Sequence, residues 1–292
     1  MRRYKERAFY LFVAPWIIGF VLFQGGPIIG SLALSLSEWQ PARPPQWVGL
    51  AHYQAMLGDA LVGRTLLNTA LYALGVVGLG LGLSFALAWL LDGRVRGATA
   101  LRTIFFLPIA TSGVAMTFVW GWLFNARWGL INQALALAGI RGPAWLQDPH
   151  WAMPALIMMG LWGIGGNIVV YLAGLQTIPR ELDEAATLDG ANLAQRWRYV
   201  TLPLLSPVTF FLVVTGVIGA FQLFTPSYLL TRGGPDNATL TTALYIYQNA
   251  FLYQRFSYAA ALAWLLCIAI IGLTWAQFRL ARHWVYYENS GQ

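Results

Sequence analysis

The segment Glu181–Pro207 reads ELDEAATLDGANLAQRWRYVTLPLLSP and is the most polar long stretch of a very apolar chain. We call Glu181–Pro207 the polar segment. It contains four of the chain's eleven carboxylates, and an apolar run lies on each side of it. Its pattern predicts two short helices, the first starting after Pro179 and the second capped by Asn192. A sharp turn is expected at Gly190 and the end of the second helix at Pro203.

The composition of the whole chain indicates an integral membrane protein. Of its 292 residues, 58% are hydrophobic and only 10% are charged, whereas roughly a quarter of the residues in a soluble domain are charged. The net charge of +7 comes from arginines scattered over short loops, which favours a topology signal over a nucleic-acid surface. The single cysteine, Cys267, excludes an intrachain disulfide and is predicted to fill core space.

Six uncharged apolar stretches have the length, roughly 20 residues, that is needed to cross a bilayer. They lie at about 8–37, 65–91, 103–124, 151–175, 204–224 and 258–278. The sequence thus predicts an all-α integral membrane protein with six transmembrane helices in a single domain, residues 1–292. Gly25-Gly26-Pro27 predicts a kink in the first stretch. Gly75, Gly78, Gly80 and Gly82 predict close helix contact in the second, with local flexibility as the alternative.

The basic residues predict topology, because cytoplasmic loops of membrane proteins carry an excess of Lys and Arg. With both termini inside, twelve of the 18 basic residues are cytoplasmic and six are external. The internal ones are Arg2, Arg3, Lys5, Arg7, Arg94, Arg96, Arg102, Arg180, Arg196, Arg198, Arg279 and Arg282. This pattern places both termini and loop 176–203, which includes most of the polar segment, in the cytoplasm, and loop 225–257 outside.

The sequence lacks the residues that several kinds of site require, namely those for ATP hydrolysis, metal binding and proton relay. Lys5 is the only lysine, so the P-loop GxxxxGK[ST] is absent and the chain is not predicted to hydrolyse ATP. The three histidines are scattered over loops and tail and predict no metal site. No Asp, Glu, Lys, Arg or His lies inside the six stretches, which weakens a proton-coupled transporter but not a sodium-coupled one. Energy for transport is therefore expected to come from a separate protein.

The polar segment resembles the EAA signature of ABC importer permeases. Glu184-Ala185-Ala186 is followed after three residues by Gly190, after nine more by Val200, and after one more by Leu202-Pro203. Further similarity to the carbohydrate permeases covers essentially the whole chain, in LSLSEW at 34–39, FFLP at 105–108, WLFN at 122–125, GLIN at 129–132, LAGLQTIP at 172–179 and LTRGGP at 230–235. Val200, where isoleucine is usual, and Arg232, where glycine is common, are small departures. The alternative for the polar segment is an ordinary interfacial connector.

The resemblance is to the permease subunit of a bacterial carbohydrate ABC importer of the sugar or glycerol-3-phosphate type. It implies a multi-pass protein of the bacterial inner membrane with four kinds of partner: a second homologous permease, two ATP-binding cassette subunits, an extracytoplasmic solute-binding protein and the lipid bilayer. ATP and Mg would be bound by the cassette subunits, and the permease needs no cofactor of its own.

The same resemblance implies that the polar segment is a cytoplasmic coupling-helix loop between spans four and five. The ATPase subunits would grip this loop, and ATP would switch the spans between inward-facing and outward-facing states. The residues to which the coupling role carries over are Glu184, Ala185, Ala186, Asp189, Gly190, Leu202 and Pro203. Loop 225–257 is expected to be a docking surface for the binding protein, with a plain connector as the alternative.

Candidates for the translocation path are amide and aromatic side chains inside spans four and five. An amide in lipid needs a partner or a wet cavity, and the apolar faces of sugars stack on aromatic rings. These criteria select Trp162, Asn167, Phe221, Gln222 and Phe224. For the two amides an interhelical hydrogen bond is an equal alternative. Asn68 and Thr215 are predicted to pack, and Thr111, Ser112 and Thr117 to bond to their own helix backbone.

Other functions remain open at this point. An ABC permease for a non-sugar solute fits the same features. A stand-alone secondary transporter or channel fits six spans but leaves the EAA spacing unexplained. A membrane enzyme needs a catalytic cluster, and the only carboxylate cluster, in the polar segment, has no histidine near it in sequence.

Overall fold

The computed structural model describes residues 2–40, 43–92 and 97–286. Arg94 and Arg96, used above to predict topology, lie outside the described residues, as do the side chains of residues 2–8. Most of the described chain is helical. The α-helices are Arg2–Phe20, Gly26–Ser35, Ala51–Gly58, Ala60–Ala73, Gly80–Asp92, Ala98–Phe106, Gly113–Leu123, Leu130–Leu137, Pro149–Trp162, Gly165–Gln176, Arg180–Leu188, Leu193–Arg196, Leu202–Phe221, Thr242–Tyr247 and Phe256–Ala281. Short π-helical turns are Val21–Gly25, Leu74–Leu79, Trp197–Thr201, Ser227–Thr231 and Gln248–Leu252, and Leu107–Ala110 is a 3-10 turn.

Several α and π pieces join into continuous apolar helices. Four of these are long and apolar enough to cross a membrane: Phe9–Ser35, Ala60–Asp92, Leu193–Phe221 and Phe256–Ala281. A fifth crossing results if Pro149–Trp162 and Gly165–Gln176, which are bent by 48° at their junction, form one span. These helices correspond to the first, second, fifth, sixth and fourth predicted stretches. At the predicted kink, the first span makes a π-helical turn up to Gly25 and then continues to Ser35.

The third predicted stretch, 103–124, is not one helix. Helix Ala98–Phe106 leads into the 3-10 turn, Thr111 and Ser112 are extended, and helix Gly113–Leu123 follows. Pro108 has no N–H for the α-helical ladder, which accounts for the break. With its 11 residues, the second piece falls short of the roughly 20 that cross a bilayer. Six transmembrane helices therefore stay a prediction.

The all-α prediction also misses a small sheet. Ser37–Gln40 pairs antiparallel with Arg43–Trp47, with Ser37 opposite Trp47 and Glu38 opposite Gln46. The first span accordingly ends at Ser35 rather than at residue 37. Pro44 and Pro45 lie in the second strand, where they disfavour a helix and are tolerated because a two-stranded sheet has only edge strands.

The described chain divides into two compact units. One comprises the described parts of Met1–Val62 and Tyr245–Cys267, and the other those of Gly63–Leu244 and Ile268–Gln292. The single domain over residues 1–292 stays a prediction.

Asp59 is the polar centre of the first unit. Its Oδ2 accepts hydrogen bonds from the hydroxyls of Tyr245 at 2.6 Å and Tyr258 at 2.7 Å, and its Oδ1 accepts one from the Leu61 N–H at 2.9 Å. Burial raises the pKa of Asp59, but these donors and the charge of Arg255 outweigh it, so the pKa lies below its ordinary value. Burial and the bond to Asp59 raise the pKa of Tyr245 to about 12. The carboxylate therefore stays charged at neutral pH and joins three segments of this unit.

The core of the second unit is apolar and lies between helices Gly80–Asp92, Gly165–Gln176 and Leu202–Phe221. Its buried side chains are Ala88, Leu91, Ile168, Tyr171, Leu172, Leu175, Leu205 and Leu212. Close helix contact was predicted at four glycines of the second span, and it is present at two of them. A Cβ on Gly75 would collide with Ile157, and one on Gly80 would lie 3.3 Å from Ile164. Gly78 and Gly82 face open space within 4 Å.

Candidate functional site

The first half of the polar segment folds as predicted. Helix Arg180–Leu188 begins directly after Pro179 and has Glu181 and Asp183 in its first turn, where carboxylates stabilise a helix N-terminus. Gly190 has φ +78°, in the left-handed region that favours glycine. The turn that separates the two helices therefore depends on this residue.

The second half begins as predicted but ends differently. Asn192 Oδ1 accepts the Gln195 N–H at 2.9 Å, and Gln195 Oε1 accepts the Asn192 N–H at 2.8 Å, which forms a capping box. Pro203 does not end this helix, because Leu193–Phe221 is one helix of 29 residues. The π-helical turn Trp197–Thr201 widens the backbone just before Pro203, where the ring lacks an N–H and would clash with a regular α-turn.

A side-chain pair holds the two halves together. Arg196 Nε donates to Asp183 Oδ1 at 2.7 Å, and Arg196 Nη2 donates to Asp183 Oδ2. A two-pronged arginine–carboxylate pair fixes orientation as well as distance. The helix angle at Gly190 is therefore held from both sides, by backbone conformation and by this ion pair.

The outer face of the polar segment is open to solvent. Glu184, Ala185, Asp189 and Gly190 are exposed, and so is Leu202. Leu188, beside them, is 89% exposed. Ala186 and Pro203 are half-buried. This face therefore presents carboxylates, small residues and one leucine to solvent.

The inner face of the polar segment rests on aromatic rings. The Trp197 ring meets Trp89 edge-on at 4.6 Å between centroids and Phe85 at 5.3 Å. Trp197 Nε1 is buried and has no hydrogen-bond partner among the described residues. Next to it lies a cavity of about 720 Å³ with a charged lining. The charged residues that line it are Asp92, Arg102, Arg180, Asp183, Glu184 and Arg196.

A second cavity, of about 240 Å³, lies between apolar helices of the second unit. Val76 and Val77 of the second span, Gly160 and Gly216 line it together with Asn167. The half-buried Asn167 amide and the Tyr72 hydroxyl are its polar groups besides backbone. The cavity is smaller than the roughly 300–1,000 Å³ of most small-molecule sites but shares their mostly apolar lining with few polar groups.

The structure brings only one of the five predicted path residues, Asn167, to this cavity. Trp162 is 53% exposed. Phe221 is buried, and Gln222 is exposed at the end of helix Leu202–Phe221. Phe224 stacks on Tyr228 with ring centroids 5.3 Å apart. A path role for all five stays a prediction.

Of the hydroxyls predicted to bond to their own helix, Thr111 and Thr117 bond to a backbone carbonyl three or four residues earlier, and so does Thr215, which was predicted to pack. Thr111 donates to Pro108 O at 2.6 Å, Thr117 to Gly113 O at 2.7 Å, and Thr215 to Phe211 O at 2.8 Å. Among the described residues, no group of three or more His, Cys, Asp or Glu side chains is placed to hold a metal ion.

Residues 223–244 overlap the predicted external loop 225–257, and we call them loop 223–244. This loop contains a buried hydroxyl network that sequence patterns did not indicate. Thr239 Oγ1 donates to Gly234 O at 2.7 Å and lies 2.6 Å from Thr231 Oγ1. Ser227 Oγ donates to Thr239 O at 2.5 Å, and Thr241 Oγ1 to Leu223 O at 2.8 Å. Ser227, Thr239 and Thr241 are fully buried. The run Thr239-Leu240-Thr241-Thr242 was the available signal, since adjacent hydroxyls can satisfy a folded loop backbone.

Asn68 of the second span holds the same loop. Its Nδ2 donates to Asn237 O at 2.7 Å and to Leu240 O at 2.9 Å, and the residue is 4% exposed. The Thr242 N–H donates to Thr69 Oγ1 at 3.0 Å. Packing was the correct prediction for Asn68, but its loop partners, more than 160 residues away in sequence, have no local signature.

Comparisons with known proteins relate the whole chain to membrane transport components. Residues 78–284 match the family described as binding-protein-dependent transport system inner membrane component. "Probable ABC transporter permease protein YesP" of Bacillus subtilis is 38% identical, over 99% of this chain and 94% of that protein. The lactose transport system permease protein LacF of Rhizobium radiobacter is 35% identical, over 97% of this chain and 96% of that protein.

A solved structure shares the fold. It is a chain of a bacterial alginate ABC transporter in complex with an alginate pentasaccharide-bound periplasmic protein, and it superposes with a TM-score of 0.83. The match covers 95% of each chain at 23% sequence identity. The chain therefore belongs to the family of binding-protein-dependent transport system inner membrane components, the permease subunits of ABC importers.

Proposed function

We propose that this chain is the permease subunit through which an ATP-driven importer moves a sugar or sugar-like solute into the cytoplasm. The observation that carries the proposal is the exposed helix pair of the polar segment, with its Glu-Ala-Ala run and its left-handed Gly190. ATP and Mg are bound and ATP is hydrolysed by partner subunits, and the permease itself has no enzymatic role.

The polar segment is the coupling loop in this proposal. Ala185 and Ala186 keep the first helix narrow enough to enter a groove of the ATPase, and Glu184 offers a carboxylate to a basic or amide group there. Leu188 adds apolar contact area. Because the Asp183–Arg196 pair fixes the angle between the halves, movement of the groove carries both halves together. The spans then switch between two access states.

Topology and partners follow from the same proposal. The chain crosses the bacterial inner membrane six times, the third time through the broken pieces Ala98–Phe106 and Gly113–Leu123, with both termini in the cytoplasm. One homologous permease, two ATP-binding cassette subunits and an extracytoplasmic solute-binding protein complete the importer. The docking of a periplasmic protein in the alginate transporter supports the last of these.

A sugar substrate is supported by the relatives and by the cavity. LacF is named for lactose transport. The 240 Å³ cavity offers the Asn167 amide and the Tyr72 hydroxyl as hydrogen-bonding groups against apolar walls. Such a lining suits a solute that presents hydroxyls on one side and C–H groups on the other.

The test is transport by the reconstituted complex. The permease pair, the cassette subunits and the binding protein are reconstituted in proteoliposomes, with ATP on the side of the membrane where the cassettes lie. Uptake of a panel of radiolabelled solutes is then measured. The panel contains mono- and disaccharides, glycerol-3-phosphate and an amino acid. ATP-dependent uptake of a carbohydrate supports the proposal. Uptake of the amino acid alone contradicts the substrate class, and uptake without cassettes contradicts the permease role.

A further inference from the structure

We propose that the second span, Ala60–Asp92, ties the polar segment to loop 223–244, so that ATPase movement reaches this loop along the span. Asn68 and Thr69 are the positioning residues at one end of the tie, and Phe85 and Trp89 those at the other. The inference rests on the proposed coupling role of the polar segment and adds the residues that transmit its movement.

The attachment to loop 223–244 is polar and buried. Asn68 Nδ2 donates to two carbonyls of the loop, at 2.7 and 2.9 Å, and Thr69 Oγ1 accepts the Thr242 N–H at 3.0 Å. Thr69 and Thr242 are fully buried and Asn68 nearly so. Buried hydrogen bonds of this kind are costly to break without replacement. The loop and this end of the span therefore move as one body.

The attachment to the polar segment is aromatic. Trp197 packs edge-on against Trp89 and Phe85, and Phe85 in turn packs against Tyr171 at 5.7 Å. Edge-to-face ring pairs fix orientation and resist sliding. The Nε1 of Trp197 has no partner among the described residues although it is buried. These ring contacts hold the polar segment against the second span.

The two attachments are at opposite ends of one continuous helix. Asn68 and Trp89 are separated by about 21 residues, or about 32 Å along the axis. Between them, the π-helical stretch Leu74–Leu79 lines the 240 Å³ cavity through Val76 and Val77. π-helical turns occur frequently at functional sites. A movement passed along the span therefore crosses the cavity wall on its way.

A covalent route between the same two regions also exists, because helix Leu193–Phe221 contains part of the polar segment and leads into loop 223–244. Loss of one attachment on the second span therefore weakens the coupling without abolishing it. We expect the stimulation of ATPase by the loaded binding protein to fall roughly fivefold to tenfold, within the usual range of coupling between distant sites.

The test is a double-mutant cycle in the reconstituted complex with Asn68→Leu, Trp89→Leu and the double variant. The ratio of binding-protein-stimulated to basal ATPase activity is measured, with basal activity and thermal stability as readouts of folding. If one tie carries the effect, the double variant is no worse than the poorer single variant. Multiplicative losses, or single variants with normal stimulation, would overturn the inference.

Asn132→Leu is the matched control. Asn132 also donates to two loop carbonyls, Ala126 O at 3.0 Å and Pro143 O at 3.1 Å, but it is not on the second span. We expect it to lower stability and leave the stimulation ratio unchanged; an equal fall in the ratio would mean general damage and overturn the tie. Should Asn68→Leu not assemble, Thr69→Val tests the same end, and Trp89→Phe should retain part of the stimulation.

A second readout follows the movement itself. Hydrogen exchange of amides in loop 223–244 is compared with and without bound ATP. We expect the ATP-dependent change to be smaller in Trp89→Leu than in the unmodified chain, and an unchanged difference would contradict the tie. Gly190→Val and Glu184→Trp separate the two proposals. If they uncouple the complex while Asn68→Leu and Trp89→Leu do not, only the tie fails. If both leave coupling intact, the coupling role itself fails.

Discussion

The polar segment and loop 223–244 differ in how they accommodate their polar side chains. The polar segment is charged, and its acidic and small side chains are exposed on one face. Loop 223–244 buries neutral hydroxyls, and these donate hydrogen bonds to the loop's own backbone, as Ser227 and Thr239 do. Exposed charges are available to a partner, whereas buried hydroxyls specify one loop conformation.

This difference predicts how mutations divide between the two regions. Substitutions of exposed side chains in the polar segment should affect coupling and leave stability nearly unchanged, because few of these side chains contribute to packing. Substitutions in loop 223–244 should affect stability first, because they leave buried groups without partners.

Gly190→Val should have the largest effect and should abolish coupling. The left-handed backbone at Gly190 costs about 1–3 kcal/mol for other residues, and a branched side chain changes the angle between the helices. We expect stimulated ATP hydrolysis in the reconstituted complex to fall more than about tenfold while the spans still insert. Glu184→Trp should act similarly by blocking the groove contact.

Gly139→Val is the control for backbone strain alone. Gly139 has φ +74° and open space around it, as Gly190 does, but it lies in another loop. It should leave stimulated ATP hydrolysis intact. Full transport and coupling in both Gly190→Val and Glu184→Trp would remove the polar segment from the coupling role.

Thr239→Val should have the next largest effect, on stability. It removes a buried hydroxyl that donates to Gly234 O and meets Thr231, at a cost of about 1–3 kcal/mol. Thermal unfolding of the purified chain in detergent measures the loss. Thr187→Val is the matched control, because the Thr187 hydroxyl bonds to Asp183 O on an exposed helix face. Equal losses in the two variants would erase the contrast between the regions.

Asp183→Asn should have a smaller effect, on coupling. The pair with Arg196 is partly exposed, so its contribution is expected to be at most about 1 kcal/mol, or roughly fivefold in coupling. The double variant Asp183→Arg, Arg196→Asp should recover part of the stimulated ATP hydrolysis. Glu181→Gln, an exposed carboxylate of the same helix, is the control. No recovery in the double variant would mean that the carboxylate acts on a partner rather than on Arg196.

Asn167→Ala should have the smallest effect, on the substrate, because the cavity belongs to neither region. Loss of one neutral hydrogen bond of about 0.5–1.5 kcal/mol raises the solute concentration for half-maximal uptake roughly twofold to tenfold. Gln222→Ala, also predicted from sequence, should have less effect since Gln222 lies outside the cavity. Unchanged uptake kinetics in both variants would remove them from the path.

Sequence patterns were informative where a physical rule is local. Apolar length marked five of the helices, and the cap at Asn192 and the turn at Gly190 follow from two or three neighbouring residues. Pro203 was misjudged because a π-helical turn compensates for its missing N–H, and periodicity does not reveal a single widened turn. The break in the third stretch was not predicted, because apolar content alone does not register an interruption at Pro108.

The interior polar contacts could not be predicted for a different reason. Asn68 and its partners Asn237 and Leu240 are distant in sequence, and no local pattern around any of them indicates the contact. The same holds for Asp59, whose tyrosine partners come from residues 245 and 258. Only the three-dimensional arrangement decides whether such an amide or carboxylate faces solvent, a cavity or a loop.

The continuity of helix Leu193–Phe221 through Pro203 has a geometric consequence. A helix of 29 residues is about 43 Å long, so a tilt of about 10° about one end displaces the other by roughly 7 Å. Had Pro203 separated the helices, a small rotation imposed on the polar segment would have been absorbed at the joint. Because Pro203 lies within one continuous helix, a rotation of the polar segment in the proposed coupling would be carried along the whole helix to its far end.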